Sequence, residues 1–224
     1  MITVAYFWEI KPQRILWALF HMGWDRLWLK RTKYISFWKL LGTGKGKTFT
    51  LRDGTALRWG FIVVLPREKI DTFDSSPIVT RWRKKSFSEF HAVLAAISVH
   101  GKWAKQNPFI SDGVVSKREN WSGEVVAITR ARIKWQKNLI FWRSVPPVTQ
   151  SLHQSEGLIG AIGIGEAPIG LQGTFSLWAS SDAVKNFAYR GSAHQSAIAA
   201  THREKWYSEE LFARFAVLER AGRL

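Results

Sequence analysis

His194 is the residue of this chain whose type and surroundings best suit metal chemistry, in the stretch GSAHQSAI. Gly191 predicts the end of one helix and Ser192 predicts the N-cap of the next. His194 then stands in the first turn of that helix, and Ile198 falls on the same side at i+4. The spacing therefore predicts an imidazole and an aliphatic side chain on one helix face.

Small residues surround this histidine and leave room for a flat group against the helix: Ala193, Ala197, Ala199 and Ala200. An imidazole on such a face can ligate haem iron from one side and leave the opposite axial position open. The alternative is a buried histidine whose ring bonds a backbone carbonyl. The spacing alone leaves both interpretations open.

The chain contains no cysteine, which excludes disulfides, cysteine-ligated zinc, iron–sulfur clusters held by this chain and thiolate-ligated haem. Any metal must be held by histidine, carboxylate or tyrosine. The other five histidines are expected to be structural or solvated: His21, His91, His100, His153 and His202. The 13 tryptophans are either part of an ordinary core with surface anchors or the lining of a large cavity for a flat ligand.

Several catalytic and nucleotide-binding motifs are absent from the sequence. GTGKGKT resembles a phosphate-binding loop, but Leu41 stands where that motif needs glycine, so a glycine-rich strand end or hairpin is expected. No Gly-x-Ser-x-Gly motif is present. Glu209 and Glu210 are adjacent and point to opposite faces of a strand, which does not suit paired acid–base chemistry.

The net charge of +16 predicts an acidic partner. Basic clusters with aromatic neighbours, LKRTK, RWRKK and RARIKWQK, suit nucleic acid, an anionic membrane surface or an acidic protein such as a ferredoxin. Nucleic acid is the least supported of these partners, because the sequence contains no known motif that reads nucleic-acid bases. MITVAYFWEI lacks a signal-peptide pattern, and no run approaches the ~20 apolar residues of a spanning helix, so a cytoplasmic protein is expected, with peripheral contact at the inner membrane as an alternative.

The hydrophobic pattern predicts two copies of a βαββαβ unit. The predicted strands of the first copy are 2–8, 34–42, 56–66 and 87–101, with helices in 12–30 and 67–85. The predicted strands of the second copy are 124–133, 158–168, 173–180 and 210–220, with helices at 134–144 and after a cap at Ser181 or Asp182.

The two copies also match in detail. LLGTG parallels AIGIG, and SEFHAVLAAI parallels EELFARFAVL. We therefore predict an α+β fold of tandem ferredoxin-like repeats that form a dimeric-type α/β barrel within one chain. The predicted units are 1–110 and 124–224, joined by a linker at 111–123, and the second unit is the predicted haem-binding half.

Four segments resemble the spheroidene monooxygenase family of acyclic carotenoid oxygenases: KLLGTGKGKTFT, FWRSVPP, GIGEAPIGLQGTFSLW and HREKWYSEELFARFAVL. The resemblance extends over nearly the whole chain in matching order. It implies a dimeric α/β-barrel haem protein that hydroxylates C-2 of a carotenoid such as spheroidene and then forms a 2-keto group. It further implies haem b, dioxygen and a ferredoxin-type electron donor, and the stretch HQSAI makes His194 the axial iron ligand.

Under that hypothesis other residues of the second half acquire expected roles. Trp178, Phe187 and Ile198 would wall the cofactor, and the candidate distal donors are Arg130, Arg132, Gln172, Thr174 and Ser176. Alternation along the strand puts Ser176 on one face and Phe175 and Leu177 on the other, and the sequence does not decide which face meets the haem.

Two further functions stay open on the same fold: a non-enzymatic haem-binding protein and an aldoxime dehydratase-like haem enzyme. The expected partners are a hydrophobic polyene substrate, the electron donor and anionic lipid at the membrane surface. A homo-oligomer is also compatible with the sequence.

Overall fold

The computed structural model describes six ranges of the chain: 1–48, 53–109, 121–133, 149–166, 173–190 and 207–224. The strands are β1 (Ile2–Ile10), β2 (Phe37–Gly44), β3 (Gly54–Leu65), β4 (Ser86–Gly101), β5 (Val125–Ile133), β6 (Leu158–Gly165), β7 (Gly173–Trp178) and β8 (Tyr207–Ala221). The labelled helices are α1 (Ile15–Arg31), α2 (Ile70–Asp74), α3 (Pro77–Lys85) and α4 (Ser181–Arg190).

The predicted strands and helices of the described ranges are present, with differences at their ends. The cap of α4 is Ser180, since its Oγ accepts the N–H of Ala183 at 3.2 Å, so the prediction of Ser181 or Asp182 was wrong. Strand β8 begins at Tyr207 rather than at Glu210. The predicted helix 134–144 lies outside the described residues.

The eight strands close into one antiparallel barrel, in the order β1-β3-β2-β6-β7-β5-β8-β4. Each half of the chain supplies a four-stranded sheet with the same order, β4-β1-β3-β2 and β8-β5-β7-β6. The sheets join where Gly42 pairs with Gly165, and along the long β4–β8 ladder. This topology confirms the tandem ferredoxin-like repeat and the barrel, while the exact unit boundaries stay a prediction.

The barrel interior is packed with aromatic rings and is not a pore. The ring centroid of Phe175 lies 5.0 Å from that of Phe7 and 6.1 Å from that of Phe90, and all three side chains are buried. A second core lies outside the first sheet, where Trp82 of α3 stacks on Trp8 at 5.7 Å. Side chains therefore alternate between an inner and an outer core along each strand.

The glycine-rich stretch GTGKGKT forms a strand end and a turn, as predicted, and not a phosphate-binding loop. Gly44 pairs with Gly54 across β2 and β3, and the Lys45 N–H donates to the Asp53 carbonyl at 2.8 Å. Gly46 has φ +76, and a Cβ there would lie 2.2 Å from the carbonyl oxygen of Ala161. Glycine is thus needed where this turn crosses β6.

Candidate functional site

The outer face of the second sheet carries a flat area of small side chains, which we call the shelf. Two cross-strand rows make it: Ala127–Ser176–Ala161 and Thr129–Thr174–Gly163 on β5, β7 and β6. Short side chains in neighbouring rows leave a surface with little relief. Such a surface suits a flat ligand that lies against the sheet.

The first sheet has large side chains at the equivalent positions. Alignment of LLGTG with AIGIG makes Leu40 equivalent to Ala161. The pairing of neighbouring strands then gives the equivalent positions on the other strands of each sheet. The equivalent rows of the first sheet are Tyr6–Phe61–Leu40 and Trp8–Trp59–Gly42. Packed aromatic side chains thus occupy the first half where the second half has the shelf, so the two halves are specialised differently.

The structure decides which face of β7 can accept a ligand. Phe175 and Leu177 share one face, as the alternation predicted, and that face is the interior core, where both are buried. Because the interior is filled, the outer face with Thr174 and Ser176 is the face on which a flat group could lie.

Ser176, Trp178 and Phe187 come together at one side of the shelf. The indole Nε1 of Trp178 donates to Ser176 Oγ at 2.8 Å, and Ser176 Oγ donates to the Ala127 carbonyl at 3.3 Å. The ring of Phe187 on α4 lies 5.4 Å from the Trp178 ring. These three of the predicted site residues therefore form one contiguous wall.

Arg130 lies on the opposite face of the second sheet from Ser176. Its guanidinium points into one end of the barrel, where Nη2 lies 2.8 Å from Glu166 Oε1 and Nη1 lies 2.5 Å from Glu209 Oε1. The group also lies over the Trp103 ring, 5.5 Å from its centroid. The geometry therefore does not bring Arg130 and Ser176 to one site.

Lys39 completes a group of four charges with Arg130, Glu166 and Glu209, which we call the quartet. Lys39 Nζ donates to Glu166 Oε2 at 2.6 Å, and Trp103 Nε1 donates to Glu166 Oε1 at 2.7 Å. Two cations and two carboxylates balance each other, which offsets part of the cost of removing them from water.

The pKa values of both quartet carboxyls are lowered. Burial alone would raise the pKa of Glu166, but the hydrogen bonds from Lys39 and Trp103 and the nearby cations outweigh it. Burial also acts to raise the pKa of Glu209, and the N–H groups of Lys105 and Ala104 together with Arg130 more than reverse that effect. Both side chains are thus held as carboxylates.

A cleft of about 600 Å³ lies between α1 and β2. Leu19, Met22, Trp38 and Leu40 give it apolar walls, and Gly42 is part of its lining. Because Gly42 pairs with Gly165 of β6, the cleft reaches the seam between the two sheets. An elongated apolar molecule could therefore extend from the cleft toward the second sheet.

Three predicted site residues, Gln172, His194 and Ile198, lie outside the described residues. Within the described ranges, no three histidine or acidic side chains gather into a metal site. His21 on α1 packs on Trp17 with its Nδ1 3.0 Å from the Trp17 carbonyl, as a structural histidine does. The expectation that His153 is exposed is confirmed.

Sequence reasoning missed the shelf and the quartet. The shelf has a local signal, since small residues alternate with large ones in AITRARI and GAIGIG, and the small set points outward. The quartet has none, because Lys39, Arg130, Glu166 and Glu209 are far apart in sequence and only barrel closure brings them together.

Curated relatives of this chain are spheroidene monooxygenases. The chain is 31% identical to that of Cereibacter sphaeroides over 99% of its own length and 68% of the relative. It is 33% identical to that of Rhodobacter capsulatus over 92% of its length and 85% of the relative, and 32% identical to that of Rubrivivax gelatinosus over 83% and 70%. No family model matches the chain.

Solved structures resemble the chain only remotely. A candidate monooxygenase from Fusobacterium nucleatum covers 100% of this chain and 95% of its own, at 12% identity and a TM-score of 0.43. A haem-binding protein from Thermus thermophilus covers 97% and 91%, at 12% identity and a TM-score of 0.31. The curated relatives, by contrast, match most of this chain and at least two thirds of their own length, and by that similarity the chain belongs to the spheroidene monooxygenase family of oxidoreductases.

Proposed function

We propose that this protein is a haem b-dependent monooxygenase that hydroxylates an acyclic carotenoid at C-2 and oxidises the product further to a ketone. Family membership is the observation that carries the proposal, since identities of 31–33% extend over 83–99% of the chain. The barrel and the shelf are consistent with it, because they provide a rigid scaffold and a flat face of small side chains on the same half of the molecule.

The shelf fits a planar macrocycle better than any other face of the described sheets. Small side chains form its floor, and Trp178 and Phe187 form an aromatic wall beside it. In this proposal His194 holds the iron from the chain segment between α4 and β8. Bound haem would supply an iron that binds and activates dioxygen.

Thr129 and Thr174 are the hydroxyls of the shelf best suited to donate a proton to a bound ligand. Ser176 has one hydroxyl proton, and that proton is directed to the Ala127 carbonyl while its oxygen accepts from Trp178. Thr129 and Thr174 pair with each other one row away and make no side-chain hydrogen bond within the described ranges. These two threonines are therefore the donors that the geometry favours, and Ser176 positions Trp178.

The α1–β2 cleft is the proposed site of the polyene chain. Apolar walls from Leu19, Met22, Trp38 and Leu40 stand beside charged side chains such as Arg26, and Gly42 of the lining lies at the seam with the second sheet. The basic surface expected from the net charge of +16 suits an acidic electron donor of the ferredoxin type.

The test is haem binding followed by turnover. The chain is produced with haem supply, and its absorption spectrum is recorded with and without the His194→Ala substitution. Purified protein is then given spheroidene, dioxygen and reduced ferredoxin, and products are separated by mass. We expect a Soret band and a product that has gained one oxygen atom.

The outcomes separate the candidate functions. Haem binding without carotenoid turnover would favour a haem-binding protein on the same fold. Oxygen-independent dehydration of an aldoxime would favour an aldoxime dehydratase-like enzyme. No haem uptake by the unmodified chain would overturn the proposed cofactor, whatever the substrate.

A further inference from the structure

Helix α1 exposes five large apolar side chains and buries its one acidic residue. Leu16, Phe20 and Trp24 follow one another at i+4 spacing and are 82%, 62% and 56% exposed. Asp25 is fully buried. Other apolar side chains of α1, such as Trp28, pack inward, so the helix is apolar on both sides, whereas a surface helix ordinarily has its apolar stripe toward the core alone. We call the outward surface of Leu16, Leu19, Phe20, Trp24 and Leu27 the α1 face.

Contacts on the inner side fix this orientation of the helix. Asp25 pairs with Arg81 of α3, and Asp25 Oδ2 accepts the indole N–H of Trp82 at 2.7 Å. Ala18 and Leu29 are also buried on that side. A rotation of the helix about its axis that buried the α1 face would break the Asp25 contacts. The fold therefore keeps this apolar surface exposed.

The exposed charges on α1 and on the residues that flank it in the chain are all positive. Asp25 is the one acidic residue between positions 11 and 33, and it points inward. The exposed cations flank both ends and one side of the helix: Lys11, Arg14, Arg26, Lys30, Arg31 and Lys33. An apolar stripe with an aromatic pair and flanking long cationic side chains is the pattern of a helix that lies in a lipid interface.

We propose that the α1 face docks on an anionic lipid bilayer, with α1 parallel to the surface. The 17-residue helix would lie over about 26 Å of bilayer. Its apolar side chains enter the acyl boundary, and the flanking lysines and arginines contact lipid phosphates. No helix of the described ranges is long and apolar enough to cross a membrane, so the contact is one of surface docking.

A second copy of the chain fits this face less well than lipid does. A two-fold interface through the α1 face would bring two identical sets of cations together, with no exposed carboxylate on α1 to pair with them. An anionic bilayer offers both the opposite charge and an apolar layer. A soluble acidic protein matches the charge but not the continuous stripe from Leu16 to Leu27.

The docking proposal does not depend on the proposed chemistry, although it would serve it. Leu19, Met22 and Gly23 of α1 also line the α1–β2 cleft. Docking through the α1 face therefore brings one wall of the cleft to the lipid surface. If the substrate is a polyene dissolved in the bilayer, the cleft is then close to its source.

Co-sedimentation with vesicles tests the proposal. We expect the protein to bind vesicles of phosphatidylcholine with phosphatidylglycerol, and to bind pure phosphatidylcholine vesicles at least about tenfold more weakly. A triple variant, Leu16→Ser, Phe20→Ser and Trp24→Ser, should lose at least about tenfold in partitioning to the mixed vesicles. Ile159→Ser is the matched control, because this residue of β6 is 48% exposed and lies in the other half of the chain.

A single-cysteine probe gives a second readout that does not need a destabilising change. The chain has no cysteine, and a Cβ added at Gly23 has nothing within 4 Å. A polarity-sensitive fluorophore on Gly23→Cys should shift to the blue with anionic vesicles, while the same label on Ile159→Cys should not.

Other results would overturn the proposal. One is that the unmodified chain does not bind anionic vesicles. The others are that the triple variant binds these vesicles as well as the unmodified chain does, or that both label positions show the same spectral shift. A dimer in lipid-free solution that the triple variant converts to a monomer, without vesicle binding by the unmodified chain, would assign the α1 face to self-association instead.

Discussion

Trp178 donates its indole N–H to the hydroxyl of Ser176, with 2.8 Å between Nε1 and Oγ, and this bond holds the indole at the edge of the shelf. Both residues are buried, and the Ser176 hydroxyl donates a hydrogen bond to the Ala127 carbonyl. The chain Trp178–Ser176–Ala127 therefore ties the aromatic wall to the flat floor of the candidate site. Substitutions of Ser176 can therefore test two effects separately: the space above the shelf and the hydrogen bond that holds Trp178.

Ser176→Phe should block the proposed cofactor site. The change installs at this position the residue type that Phe61 provides in the first sheet, where rings fill the outer face. We expect haem affinity, followed by titration of the Soret band, to fall at least about tenfold, because the new ring takes the volume of a flat ligand. Ser176→Ala is the control: it should retain haem and lose about 1–2 kcal/mol of unfolding free energy, since Trp178 loses its acceptor. Equal haem binding by the Phe and Ala variants would place the cofactor elsewhere.

His194→Ala should remove the axial ligand that the family resemblance assigns. The Soret band should be lost or strongly altered, and free imidazole added to the variant should restore it in part, because imidazole can occupy the vacated position. His153→Ala provides a comparison at an exposed histidine. An unchanged spectrum in His194→Ala would require a different ligand.

The sequence predicted the barrel because its signals are local and repeated. The strand periodicities and the match of LLGTG with AIGIG can each be recognised within a short stretch of sequence. The β4-β1-β3-β2 order then follows from the ferredoxin-like unit. The start of α4 was less predictable, since Ser180, Ser181 and Asp182 are all good caps and only backbone geometry selects Ser180.

The candidate site was predictable only in part. Alternation along GTFSLW separated Ser176 from Phe175, but the usable face followed from how rings of β1 and β4 fill the barrel interior. Arg130 illustrates the limit. Its strand position was evident, whereas its partners are Glu166, directly after β6, and Glu209 on β8, which meet it only when the barrel closes.

Arg130→Met tests whether this arginine has a structural or a catalytic role. Its side chain is 6% exposed and bonds two carboxylates, so its removal should cost about 3–5 kcal/mol of unfolding free energy. Because the quartet lies on the inner face, we expect an unchanged Soret position in the folded variant. Urea unfolding and the haem spectrum measure the two effects. Normal stability with impaired turnover would instead support the prediction of Arg130 as a distal donor.

The quartet should make the protein less stable in acid. The pKa values of Glu166 and Glu209 are lowered in the folded state, so their contribution is complete above the unfolded value of about 4.3 and is lost as pH falls through the folded values. Glu209→Gln should flatten the decline of unfolding free energy below about pH 5. Glu156→Gln, at an exposed glutamate, should leave the slope as it is. Equal acid slopes in the unmodified chain and Glu209→Gln would contradict this role.

Asp25 should show the opposite pH dependence from the quartet. Burial raises the pKa of Asp25, although Trp82 and Arg81 act in the other direction. A carboxyl whose folded pKa lies above its unfolded value of about 3.9 stabilises most at lower pH, and that contribution is lost as pH rises through the folded pKa. Asp25→Asn keeps an oxygen acceptor for Trp82 and removes the titration.

The unfolding free energy of the unmodified chain relative to Asp25→Asn should therefore be greatest in acid and should decline toward neutral pH. Urea unfolding at a series of pH values measures this difference, and the acid effects of the quartet cancel because both proteins share them. Asp25→Ala should be less stable than either at every pH, since the buried indole of Trp82 loses its partner. If the stability difference between the unmodified chain and Asp25→Asn grew with pH, Arg81 and Trp82 would stabilise the carboxylate by more than burial penalises it. The ion pair with Arg81 would then hold α1 in the orientation that exposes the α1 face.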